Sequence, residues 1–131
     1  MPENNTIFHR NMLALSSRSP ALSASLPNVN EPEYAEMITS KTGTAVPAVR
    51  SGEKLSALHS RYSPEGEARR YAGIYPDSGF LVFLGFGAGY HIEPFLTKPA
   101  DSHILIIEPD AGMFKFVMQR IDRRKLFMDK R

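Results

Sequence analysis

The chain has 131 residues, a formal net charge of +2 and no cysteine. That length suits one domain with a real core, and the lack of thiols excludes a disulfide framework, cysteine-ligated zinc and thiol catalysis. The N-terminal residues are polar, and the longest apolar runs, Phe80–Leu84 and Ile104–Ile107, fall far short of the ~18 residues that span a bilayer. The expectation is therefore a soluble, cytoplasmic protein with no membrane partner.

Residues 1–30 read as a helical segment. Thr6 can cap a helix over residues 6–18, with Ile7, Met12, Leu13 and Leu15 on its apolar side. Pro20 opens a second short helix, Ala21–Leu26, which Pro27-Asn28 ends. Neither is long enough to be stable unless it packs on something else.

Residues 31–78 read as a β-meander and a linking helix. Turns at Lys41-Thr-Gly43 and Ser51-Gly52 separate three short extended runs. Pro47 cannot donate a backbone hydrogen bond, which predicts an edge position or a bulge for its strand. Ser63 as N-cap, Pro64 at the first helical position and Glu65 and Glu67 in the first turn predict a helix over residues 64–73, closed by Gly73 and Pro76.

Residues 79–131 carry the most informative pattern. Phe80–Leu84 is a continuous apolar run of strand length, as expected for a parallel strand covered on both faces. Gly85, Gly87 and Gly89 follow at alternate positions, where glycine lets the chain turn sharply and lets a ligand approach the backbone. The segment from Tyr90 to Leu96 or Thr97 reads as a helix whose free N–H groups point back at the turn. A second buried strand, Ser102–Ile107, ends at Glu108, and Pro109-Asp110 caps a helix over residues 111–120 with Met113, Phe114, Val117 and Ile121 on its apolar side. The fold class is thus α/β: N-terminal helices and a small antiparallel meander, followed by the first β-α-β-α half of a Rossmann-like parallel sheet.

Glu108 lies 21 residues after Gly87, close to the ~20 that separate a Rossmann turn from the acid holding a ribose. Candidate ligand-binding residues are therefore Gly85, Gly87, Gly89, Tyr90, His91 and Glu108, facing a nucleotide-type ligand such as a nucleotide sugar or S-adenosylmethionine. Each has a plainer role beside it: His91 as an exposed first-turn residue, Glu108 as a helix cap. The turn departs from the dinucleotide pattern, because Tyr90 stands where that pattern has its last glycine. Its spacing is nearer the first motif of S-adenosylmethionine-dependent methyltransferases, although the acid those enzymes commonly carry at the motif's start is replaced by apolar residues. No histidine spacing suits a metal, and no catalytic residue is identified. His59 and Ser60 are adjacent on an extended segment and point opposite ways, which argues against catalysis and for local hydrogen bonding.

Residues 114–131 hold seven basic against two acidic residues, a net +5. Without aromatic or glycine interleaving, these cations, like Arg69 and Arg70, read as a solvated face and not as a nucleic-acid site.

Three segments in order, Leu58-His-Ser-Arg-Tyr-Ser-Pro-Glu-Gly-Glu-Ala, Gly85-Phe-Gly-Ala-Gly-Tyr-His-Ile and Ile106-Ile-Glu-Pro-Asp, resemble the N-terminal region of the motility-associated factor (Maf) proteins, the DUF115 group. The resemblance covers about residues 30–127. These are bacterial glycosyltransferases linked to adding nonulosonic acids to flagellin, several times longer than this chain, with transfer usually attributed to a central domain. The resemblance implies an N-terminal portion lacking that domain and not catalytic alone, with flagellin or the missing C-terminal transferase region as partner. Two other readings stand beside it: a truncated S-adenosylmethionine-dependent methyltransferase-like domain, and an interaction module that self-associates through the open edge of its two-stranded sheet. Leu126-Phe-Met is where a further loop and strand would begin.

Overall fold

The computed structural model describes residues 3–75, 79–97 and 103–130. Pro76, Ser102 and Arg131, which bound elements in the sequence reading, lie outside the described residues. In chain order the elements are α1 (Glu3–Ser16), α2 (Pro20–Ser25), β1 (Ala35–Thr39), β2 (Ala45–Ser51), β3 (Lys54–Ala57), α3 (Pro64–Ala72), β4 (Phe80–Leu84), β5 (His103–Ile107), α4 (Ala111–Met118) and α5 (Arg124–Met128). Short 3-10 turns occupy Leu26–Asn28 and Glu93–Thr97.

α1 begins before Thr6, so that residue lies inside the helix and caps nothing. Met12 and Leu15 are buried and Phe8 packs beside them, one face at helical spacing, while Leu13 points outward at 62% exposure. Asn11 shares the buried face and is fully enclosed. Its amide nitrogen donates to the carbonyls of Met118 (2.9 Å) and Ile121 (2.8 Å), and its oxygen accepts from the Arg123 N–H (2.8 Å). The Met118 carbonyl at the end of α4, which has no partner within the helix, is thereby satisfied, as is that of Ile121 in the turn beyond it.

β1, β2 and β3 form the expected antiparallel meander in sequential order. β2 is its central strand, so Pro47 is neither at an edge nor in a bulge; it pairs with Met37 and is fully buried. The β2–β3 ladder ends at Ala48–Ala57, and the Pro47 carbonyl accepts instead from the Leu58 N–H at 2.9 Å. That pair keeps one bond of two, because the N–H that proline lacks is the one that would have donated to Leu58, and the ladder stops there. α3 begins as its sequence predicts: the Ser63 hydroxyl accepts from the Gly66 N–H at 3.0 Å, with Pro64 at the first helical position.

β4 and β5 pair in parallel, from Phe80 opposite His103 to Leu84 opposite Ile107. The Tyr90–Thr97 segment between them is a series of turns ending in a 3-10 helix, not the expected α-helix. Pro94 lacks the N–H that would bond the Tyr90 carbonyl, so an α-helix starting at Tyr90 would lose its first hydrogen bond.

Leu81, Phe83, Ile104 and Ile106 face a hydrophobic cluster that includes Ile92, Phe95, Met113 and Val117. The opposite face is bare. Phe80, Val82, Leu84, Leu105 and Ile107 are exposed by 68, 51, 81, 45 and 47%. The expectation of cover on both faces fails among the described residues, because the apolar side chains that follow each strand, Ile92 and Phe95 after β4 and Met113 and Val117 after β5, pack on the inner side.

The C-terminal segment also differs from its reading. α5 places Leu126 and Phe127 in the core where a loop and strand were expected. Its cations divide: Arg124, Lys125 and Lys130 are exposed as read, whereas Arg123 is 6% exposed and pairs with Glu93, Arg120 reaches Glu31 at 2.7 Å, and Lys115 donates to the Pro27 and Val29 carbonyls, each at 2.7 Å. Arg69 and Arg70 are exposed as read.

Candidate functional site

At the C-terminal end of β4 the chain turns through Gly85, Gly87 and Gly89, all at positive φ (+100°, +55° and +79°). Two distant side chains hold the intervening amides. The Glu108 carboxylate, at the end of β5, accepts from the Phe86 N–H at 2.9 Å and with its other oxygen from the Asp110 N–H at 2.8 Å. His59 Nε2 accepts from the Ala88 N–H at 2.9 Å. Asp110 in turn caps α4, its Oδ1 accepting from the Met113 N–H at 3.0 Å.

The glycines answer to this packing. A Cβ on Gly87 would lie 2.6 Å from His59 Nε2, and one on Gly89 would lie 2.4 Å from a Leu126 methyl carbon. Both directions point at protein side chains, so absence of a side chain there admits the imidazole and the core in place of a ligand.

His59 is 8% exposed, and its pKa is lowered from 6.5 to about 4 by burial first, then by repulsion from His91 and Arg123. It is neutral at pH 7, with its Nε2 lone pair on Ala88 and hence its proton on Nδ1. His91 Nε2 donates to the Gly85 carbonyl at 3.1 Å, and burial lowers its pKa as well. Its Nδ1 is buried with no hydrogen-bond partner among the described residues. Tyr90 lies beneath the turn: its hydroxyl donates to the Ala45 carbonyl at 2.6 Å, and its ring meets His59 edge-on at 5.0 Å. Burial is the chief cause of its raised pKa.

Beside the turn, at the C-terminal ends of both parallel strands, lies an open cavity of about 540 Å³. Open α/β sheets place ligands at this end. Gly85, Gly87, His91 and Glu108 line it; Gly89 and Tyr90 do not. The wall is completed by residues that sequence reading did not select, chiefly His59, Glu67, Tyr71 and Asp110. Recruitment of His59, Glu67 and Tyr71 depends on the segment after the meander folding back over the turn, whereas Asp110 directly follows β5. The sole sequence signal was that the Leu58–Ala68 and Gly85–Ile92 segments share one family resemblance.

The chemistry of this cavity differs from that of a phosphate cradle. Among the described residues lining it are three carboxylates, Glu67, Glu108 and Asp110, and no lysine or arginine. Both histidines are held in the uncharged form at neutral pH by the lowered pKa values. Of the turn amides, those of Phe86 and Ala88 already donate to side chains. A phosphate needs cations or free N–H groups, and the cavity supplies little of either. No group of three or more His, Asp or Glu residues among those described is placed to hold a metal ion. No helix of the described residues is long and apolar enough to cross a membrane.

No family model and no curated protein matches the chain. Among solved structures, a Maf glycosyltransferase from Magnetospirillum magneticum AMB-1 shares its fold, with a TM-score of 0.61 at 18% identity. The match covers 98% of this chain and 26% of that one, so the chain spans about a quarter of the neighbour's length. At this identity the likeness establishes a fold, a partial Rossmann-like α/β arrangement.

Proposed function

We propose that this chain is the N-terminal, non-catalytic portion of a Maf-like bacterial protein that serves flagellin glycosylation with nonulosonic acids, and hence motility, in the cytoplasm. The observation that carries this reading is the fold likeness across 98% of the chain to a quarter of a Maf glycosyltransferase. The three sequence segments that resemble the family fall on the structural joint itself, with His59, the glycine turn and Glu108 bound to one another. That joint supports a scaffolding role, because its polar groups are turned inward on the protein. Should a ligand enter the cavity, Gly85, Gly87, His91 and Glu108 are the candidate residues it would meet, with Gly89 and Tyr90 supporting them from behind. The partner on this reading is flagellin or a transferase region. No structural feature favours the S-adenosylmethionine reading, since both Glu108 oxygens are already engaged by backbone amides.

Mass spectrometry of flagellin from a bacterium in which the gene for this chain is deleted tests the proposal. Loss of the nonulosonic-acid mass increments, restored by the gene in trans, is the expected result. Flagellin of unchanged mass would overturn it. Transfer or hydrolysis of a CMP-activated nonulosonic acid by the purified chain would overturn the non-catalytic part alone.

A further inference from the structure

We propose that the outer face of the β4–β5 sheet is the contact surface of a two-fold dimer, its occupant being the same face of a second copy of this chain. The sequence reading located self-association at the open edge of the sheet; the side chains place it on the face.

Phe80, Val82 and Leu84 on β4 stand beside His103, Leu105 and Ile107 on β5 in three successive cross-strand pairs. The five aliphatic and aromatic members are exposed by 45–81%. Neither strand carries an Asp, Glu, Lys or Arg. Tyr71 and Tyr75 border the patch, lining a groove shared with Val82 and Leu84. Single exposed apolar side chains need no explanation, but a contiguous sheet face of them does.

The absence of charge bears on the choice of occupant. A two-fold contact sets each residue near its own image, so like charges would meet across it. Here no such repulsion arises. With Val82 and Leu105 at the centre, two copies can stack their sheets face to face at the ~10 Å spacing of sheet packing.

The size of the patch fits a weak dimer. These five side chains expose roughly 500 Å² per copy, within the range of the largest patch on a monomer. Two copies together would bury on the order of 1,000 Å², the lower limit for a specific interface. Interfaces at this low end of the size range belong to weak, transient encounters, so the dimer is expected to dissociate on dilution.

The proposal stands apart from the glycosylation reading, and its test uses the purified chain alone. Light scattering behind size exclusion at roughly 100 μM, high enough to populate a weak dimer, should give a dimer mass. The double variant Val82→Asp, Leu105→Asp should give a monomer with an unaltered circular dichroism spectrum. A wild-type monomer at that concentration, a dimer that survives the double substitution, or open-ended assembly larger than a dimer would each overturn the proposal; the first would leave the face to a different chain. A second measurement does not depend on how the double variant folds. The protein has no cysteine, so Val82→Cys introduces one thiol at the two-fold centre. Mild oxidation should give a covalent dimer from Val82→Cys and none from Glu53→Cys, which sits on an exposed turn. Failure of Val82→Cys to crosslink would contradict the geometry.

Discussion

The antiparallel meander and the parallel pair use strands of comparable length, yet they finish their surfaces differently. In the meander, Ala35, Met37 and Val49 pack on the core, and the other face sets the Glu36–Arg50 pair beside the fully buried Val46 and Ala48. The parallel pair has a covered face as complete as the meander's, with Phe83 packed edge-on against Phe95 at 5.2 Å. Its other face carries five exposed apolar side chains and His103. Hydrophobicity in a strand states what could be buried; which face is buried depends on where the connecting segments run. The core-packed residues described after each strand, among them Ile92, Phe95, Met113 and Val117, lie on the inner side, and nothing in β4 or β5 themselves marks that choice.

The contrast between faces gives the largest expected effect. Phe83→Ala should destabilise the chain by about 3–5 kcal/mol, the range for removing a buried aromatic ring. Leu84→Ala, one residue along on the outer face, should change stability by less than about 0.5 kcal/mol in dilute protein. Urea denaturation of the two variants reads the difference, and similar costs for both would mean that the outer face is covered in solution.

The joint between the two sheets is a second place to test. His59 follows the meander and holds the turn after β4. Its folded-state pKa of about 4 lies below the ordinary 6.5, so the unfolded chain binds the proton first as pH falls. Stability from this group is complete above pH 6.5 and is lost as pH drops toward 4, by roughly 3 kcal/mol over that span at 1.36 kcal/mol per pH unit. His91, whose pKa is also lowered, adds to the slope in the same direction. Protonation would also remove the Nε2 lone pair that accepts from Ala88. Melting curves between pH 4 and 7 should show the decline in wild type and a flatter profile in His59→Gln. An equal slope in both proteins would place the acid sensitivity elsewhere.

The smallest effect is expected in the meander. Glu36 and Arg50 pair, but both side chains are more than one-third exposed. Solvent screens such pairs strongly. Arg50→Ala should leave the melting temperature unchanged within error, and a clear drop would mean that the meander relies on its ion pair to finish its outer surface.

Much of this fold can be read along the chain because its signals are local. Ser63, Pro64, Glu65 and Glu67 announce α3, and Asp110 announces α4, whose N–H it does cap. The turn glycines are legible as glycines at positive φ. Their reason is not, because His59, which fills the space beside Gly87, stands 28 residues earlier. Glu108 was legible as a polar group ending a strand, but whether its oxygens meet a ribose or two backbone amides depends on how close the turn comes. The same limit hid Arg123: a cluster of C-terminal cations looks solvated until Glu93 and Asn11 are brought to it by the rest of the fold.

Asn11 carries a consequence for the order in which the chain is assembled. Its three hydrogen bonds all reach residues 107–112 positions later. On a ribosome adding residues one at a time, α1 emerges early but has no polar partner until α4 and the Arg123 segment have left the exit tunnel. An enclosed asparagine is costly without those bonds, so α1 cannot settle into its final place ahead of them. Closing a loop of that length is also entropically slow. α1 is therefore made well before it is locked, and synthesis of the Met118–Arg123 segment acts as its release step.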